Sequence, residues 1–136
     1  MKARQFFEKN INRCFEMKSK KKSLKTIPPT LRNKKRYVVF ELIAEREISE
    51  FALKNSLSRL FFDLFGQYGF SHSNYSFVLF NSKTRRAIIK CRRSWKEKTK
   101  TALLFLEKID SIACIPRIIT VSGSAKKAKK FVLEDK

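Results

Sequence analysis

Acidic residues are scarce in this chain: 12 Asp plus Glu stand against 32 Lys plus Arg, a formal net charge of +20 over 136 residues. A surplus of that size destabilises a compact monomer by self-repulsion unless a polyanion compensates it, so nucleic acid is the expected partner. Histidine is rarer still. His72 stands alone, which excludes a multi-histidine metal site and leaves any His-based acid–base mechanism resting on one residue of a polar turn. Cys14, Cys91 and Cys114 are odd in number, far apart and in no C-x-x-C or Cys/His spacing. They imply neither a disulfide framework nor a zinc site and fit a reducing, cytoplasmic setting. The three glycines build no phosphate-cradling loop, and H-E-x-x-H and G-x-S-x-G patterns are both missing. No catalytic residue, protein-bound cofactor or metal is therefore expected. Apolar runs fall short of the ~18 residues a spanning helix needs, and no signal-peptide core opens the chain, so no membrane partner is expected.

What is present is a core. Hydrophobic residues make up 43% of the chain, 13 of them Phe, enough apolar area for one folded domain despite the charge. Residues 1–27 read as a basic N-terminal arm: a weak helical pattern at Phe6, Phe7, Ile11, Cys14 and Phe15 gives way to the disordered-type run Lys18–Lys25. Pro28-Pro29 closes the arm, since neither proline donates a backbone hydrogen bond and the first is held extended by the second. Residues 28–136 form the domain.

Its first strand spans Lys35–Arg46, with Val38, Phe40, Leu42 and Ala44 on one face and Tyr37, Val39, Glu41 and Ile43 on the other. Ser49 is placed as the N-cap of a first helix that carries Leu53, Leu57, Leu60, Phe61, Leu64 and Phe65 and stops at Gly66. Phe51 and Phe62 fall off that stripe; with Phe65 they are candidate contacts for a protein partner. Tyr75–Phe80 and Arg85–Arg93 alternate as a hairpin around the turn Asn81–Thr84. Ser94-Trp95-Lys96-Glu97 reads as a capping box before a second helix bearing Ala102, Phe105, Leu106 and Ile109. Ile115–Val121 is a fourth strand, and Ala125–Leu133 a short basic helix. The order β-α-β-β-α-β predicts an α+β sandwich of ferredoxin-like, RNA-recognition-motif-like plan, in which two helices cover one face of a four-stranded antiparallel sheet and leave the other open.

Cations gather at element ends: Arg32, Lys34, Lys35 and Arg36 before the first strand; Arg85, Arg86, Lys90, Arg92 and Arg93 along the third; Lys126, Lys127, Lys129 and Lys130 after the fourth. The first and third strands are neighbours in this plan, so the first two clusters can converge into a phosphate-binding surface. Arg92-Arg93-Ser94 and Ser122-Gly123-Ser124 also precede helices, whose free N–H groups favour anions. The third strand offers cations and no rings, unlike the aromatic strand on which RNA recognition motifs stack bases. Backbone and shape recognition is the expectation.

The segments Pro28–Phe40, Ala87–Arg93 and Arg117–Lys127, in that order, resemble a small archaeal ribonuclease P subunit family, protein component 2, which has eukaryotic relatives. The resemblance covers residues 28–131 and implies a non-catalytic subunit of the ribonucleoprotein that removes the 5′ leader from precursor tRNA. It further implies that the catalytic RNA holds the magnesium ions, and that the partners are ribonuclease P RNA, precursor tRNA, protein component 3 and the other protein subunits. The 27-residue arm departs from the family pattern. Two other readings stand beside it: a protein-interaction module docking through its first helix, and a general RNA-binding or ribosome-associated protein.

Overall fold

The computed structural model describes residues 27–134. The chain divides into two units, Met1–Arg32 and Asn33–Lys136. The helical pattern and basic run expected within residues 1–26 lie outside the described residues. In the first unit Pro28 is extended (φ −58°, ψ 150°), as the following proline requires, and Pro29–Leu31 form one 3-10 turn.

The second unit begins with β1 (Lys35–Ala44), whose β-branched and aromatic run is buried from Val38 to Phe40 and again at Leu42. Alternation assigns its faces as expected. Val38, Phe40 and Leu42 join one core cluster with Leu53, Leu57, Phe61 and Leu103, while Val39 belongs to a second cluster on the opposite face. Each fully buried Leu, Val or Phe contributes about 1.5–3 kcal/mol by leaving water.

Helix α1 (Glu50–Ser73) starts where expected: the Ser49 side chain accepts a hydrogen bond from the Ala52 N–H at 3.2 Å. It does not end at Gly66. That residue takes φ 65°, ψ −175°, a conformation open essentially to glycine alone, which kinks the helix; the chain then resumes helix to Ser73 and stops at Asn74 in the left-handed region (φ 50°, ψ 41°). Leu64, placed on the apolar stripe by its spacing, is 41% exposed. His72 sits in the last turn of α1 against Tyr68, not in a turn between elements.

β2 (Ser76–Asn81) and β3 (Arg86–Arg92) form the expected hairpin. The Ser94 capping box does not form. Arg93–Trp95 make a 3-10 turn, α2 (Lys96–Leu104) starts after it with Trp95 at the N-cap and no side-chain cap, and Glu97 instead pairs with Lys96 and Lys100. Those two ammonium groups hold the Glu97 carboxyl below the usual carboxylate range.

α2 ends at Leu104, so Phe105, Leu106 and Ile109 lie beyond it, and Phe105 is 58% exposed. Ile109 belongs to a two-residue strand, β4 (Lys108–Ile109), joined to β5 (Ile112–Ser122) by Asp110 and Ser111, both at positive φ. Two consecutive positive φ values give a turn whose twist matches a hairpin. Among the described residues the sheet therefore has five antiparallel strands and not four, in the order β2-β3-β1-β5-β4. The order β2-β3-β1-β5 within it keeps the ferredoxin-like plan, with β1 central. β4 pairs only with Ile112 and Ala113, and the β1–β5 register shifts between Val39 and Phe40.

The second face is not open. Helix α3 (Ala125–Leu133) lies on it and buries Ala128 and Val132 against Val39 and Ile88, with Tyr37, Val78 and Leu79 around them. Ala128 and Val132, at i and i+4 on a helix whose four lysines are exposed, are the buried residues through which it docks. Its C-terminal carbonyls are satisfied from the β2–β3 hairpin: Asn81 Nδ2 and Thr84 Oγ1 donate to Val132 O at 3.2 and 3.0 Å, and Arg86 Nη1 donates to Phe131 O and Glu134 O at 2.8 and 3.0 Å.

Candidate nucleic-acid interface

The antiparallel register of β1 and β3 sets Lys35 opposite Arg92, Arg36 opposite Cys91 and Tyr37 opposite Lys90, while the Arg93 N–H donates to Lys34 O at 2.8 Å. Lys34, Lys35, Arg36, Lys90, Arg92 and Arg93 are thus brought together at one end of the sheet. Lys35, Lys90 and Arg92 share the face that α3 covers further along. Ser122, the last residue of β5, pairs with Tyr37, so α3 begins at this same end. Exposed Lys126, Lys127, Lys129 and Lys130 continue the cationic strip along α3. Arg36 leans on the connection: a Cβ at Gly123 would lie 3.0 Å from its Nη1.

Like charges directly opposite on adjacent strands repel, and Lys35 and Arg92 have no carboxylate within 4 Å among the described residues. Arg92 Nε is buried without a hydrogen-bond partner. Both features cost folding free energy, and an anion, whose oxygens accept from several donors at once, offsets the repulsion between the opposed charges. Of the candidate cations described in this unit, Lys130 alone meets a carboxylate, that of Glu134 at 3.5 Å.

The remaining candidates divide otherwise. Arg85 and Arg86 stand at the other end of β3, about 20 Å from Arg92 at the ~3.3 Å rise of a strand. Arg85, at φ 53°, donates to Ala44 O at 2.6 Å, and Arg86 closes the end of α3. Both guanidinium groups are engaged in holding the fold. Arg32 belongs to the first unit, where its Nε donates to Ile27 O at 3.2 Å. On α1, Phe51 is 75% and Phe62 44% exposed, whereas Phe65 is half-buried with its ring edge-on to Trp95 at 5.1 Å. Exposed Tyr68 extends that apolar surface beyond the residues predicted.

The site holds donors and no nucleophile–base pair. The nearest reactive group, the Cys91 thiol, is buried, and burial pushes its pKa up, offset in part by Thr99 and the Arg36 charge. Among the described residues no group of three or more His, Cys, Asp or Glu is placed to hold a metal ion, and no helix is long and apolar enough to cross a membrane. The arrangement offers several cationic donors at one end of the sheet and no carboxylate beside Lys35 or Arg92 among the described residues.

Fold and surface define a class: a small α+β domain of ferredoxin-like order with a cationic end and a helix-capped sheet face. Its kin are specific. The model of the Rpp14/Pop5 family matches residues 36–133, and the chain belongs to that family. It is 35% identical over 111 residues to ribonuclease P protein component 2 of Archaeoglobus fulgidus, covering 82% of this chain and 99% of that protein. The corresponding protein of Pyrococcus abyssi is 33% identical (81% and 93% covered), and that of Methanocaldococcus jannaschii 34% (80% and 81%). A chain in the structure of yeast ribonuclease MRP superposes with a TM-score of 0.56 at 14% identity, over 68% of this chain and 76% of that one, which shows the shared fold.

Proposed function

We propose that this chain is a non-catalytic protein subunit of ribonuclease P, binding the catalytic RNA and supporting removal of the 5′ leader from precursor tRNA. The observation that carries the reading is the Lys35–Arg92 pair: two opposed cations with no carboxylate within 4 Å among the described residues, at the head of a strip of lysines on α3. Phosphate oxygens are the complement of that arrangement. The RNA holds the magnesium ions and does the chemistry; the protein lowers the magnesium it needs by neutralising phosphates. Exposed Phe51 and Phe62 on α1 face the other protein subunits, component 3 among them.

Reconstituted holoenzyme with Lys35, Arg92 and Arg93 changed to Ala is expected to cleave more slowly at low magnesium and to be partly rescued by more. Filter binding of the variant is expected to show a salt slope shallower by about 2, at ~0.7–0.9 for each phosphate that is no longer neutralised. Unchanged slope and unchanged cleavage at low magnesium would overturn the assignment of this surface.

A further inference from the structure

The opposite end of β1 carries a surface of contrary character. There β1 and β5 meet through the cross-strand pair Ile43 and Ile115, which are 51% and 67% exposed. Leu104, the last residue of α2, is 68% exposed. With Pro116 these side chains line an open groove of about 530 Å³, and among the described residues the only charged ones on its wall are Glu45 and Glu107. Among the described residues no lysine or arginine lines it, on a chain where they outnumber acids 32 to 12. Neither glutamate has a cationic partner within 4 Å among the described residues.

Each part of that description selects against a polyanion. An RNA strand brought to the groove meets two carboxylates, no donor side chain and an aliphatic floor that offers no ring to stack on. A protein segment of the right pattern gains on every count, because apolar side chains cover the floor and cations meet unpaired carboxylates at the rim. We propose that this groove docks an apolar segment of a partner protein flanked by lysine or arginine, its aliphatic part lying on Ile43, Leu104, Ile115 and Pro116 and its cations meeting Glu45 and Glu107. The surface is separate from the cationic end, so the chain has one pole for RNA and another for protein.

A photo-crosslinking phenylalanine analogue in place of Ile115, in the full chain purified within its assembled complex, tests this directly. The expected product is a crosslink to a peptide of another protein that carries apolar residues beside Lys or Arg. Combining the probe with Glu45→Lys and Glu107→Lys is expected to lower the yield by about tenfold, since three exposed positions change while the core is untouched. Unshifted thermal unfolding of the variants checks that they fold. A crosslink to RNA, to an acidic peptide or to a second copy of this chain overturns the proposal, as does no crosslink or a yield indifferent to charge reversal. RNA affinity is not read in this experiment, so its outcome is independent of the cationic surface.

Discussion

Arg86 and Arg92 sit six residues apart on β3, and replacing each by Met is expected to have opposite consequences. Arg86 Nη1 reaches Phe131 O at 2.8 Å and Glu134 O at 3.0 Å, at the C-terminus of α3. A charged hydrogen bond contributes ~1.5–3 kcal/mol; two bonds from one nitrogen near solvent count as about one at the low end, ~2 kcal/mol. The cation at a helix C-terminus adds about 0.5 kcal/mol. Against this, Arg86 Nε is buried without a partner, a cost of ~1 kcal/mol that the substitution removes. Arg86→Met should therefore lose about 1–2 kcal/mol. In urea unfolding that is a midpoint lower by about 0.5–1 M at unchanged m, and in a thermal scan about 4–8 °C. Its RNA salt slope should stay put. Arg92→Met relieves both an unpartnered Nε and the repulsion with Lys35 across the strands, so its midpoint should hold or rise while the slope falls by ~0.7–0.9. An Arg86→Met protein with wild-type stability and a shallower slope, or an Arg92→Met protein less stable than wild type, would refute the division of labour between the two.

Three further outcomes follow from particular residues. Gly66→Ala places a side chain at φ 65°, ψ −175°, costing ~1–3 kcal/mol of strain, and thermal unfolding should fall; a rise would mean an ordinary helix interior, where alanine gains about 1 kcal/mol over glycine. Burial pushes the Tyr75 hydroxyl up to about 12, offset in part by nearby Ser58. The folded state then favours the neutral phenol, so this stabilisation is complete below pH 10 and is lost as pH rises towards 12. Subtracting the alkaline absorbance titration of Tyr75→Phe from that of wild type should reveal one tyrosinate appearing near pH 12; an ordinary titration near pH 10 would contradict the packing. Finally, Cys91 and Cys114 are buried with thiols pushed up by that burial, so a Cys14→Ser chain should react with a thiol reagent only after denaturation, and fast labelling of the native protein would count against it.

The central strand, the Ser49 cap, the hairpin and the opposition of the first basic cluster to β3 were legible because alternation and capping are local rules that burial reinforces. What was not legible depends on long-range geometry. Gly66 carries the stop signal expected of it, yet the chain resumes helix because Gly69 packs on Trp95 and Ser73 is buried at its end, contacts invisible in sequence. The Asp110-Ser111 turn was hidden by Ile109, which fits a helical stripe as well as a two-residue strand. Arg85 and Arg86 look identical to Arg92 and Arg93 in sequence. Arg86 becomes a structural donor through the docking of α3, which rests on Ala128 and Val132, while Arg85 is held by the Ala44 carbonyl at the end of β1. The charge pattern pointed to an anionic partner, whereas register and helix ends decide which cations stand clear of the fold's own hydrogen bonds.

β5 runs eleven residues, but β4 covers only its first two on the outer side. A bare sheet edge is a template for aggregation, most of all in proteins crowded together along a shared scaffold. Here Pro116 removes one donor, Arg117 leans to Glu41 and repels a like neighbour, and the register shift near Ile119 bends the strand out of plane. Those irregularities, at residues 116, 117 and 119, make this edge a poor template for another strand, so the described fold carries its own guard against edge-to-edge pairing.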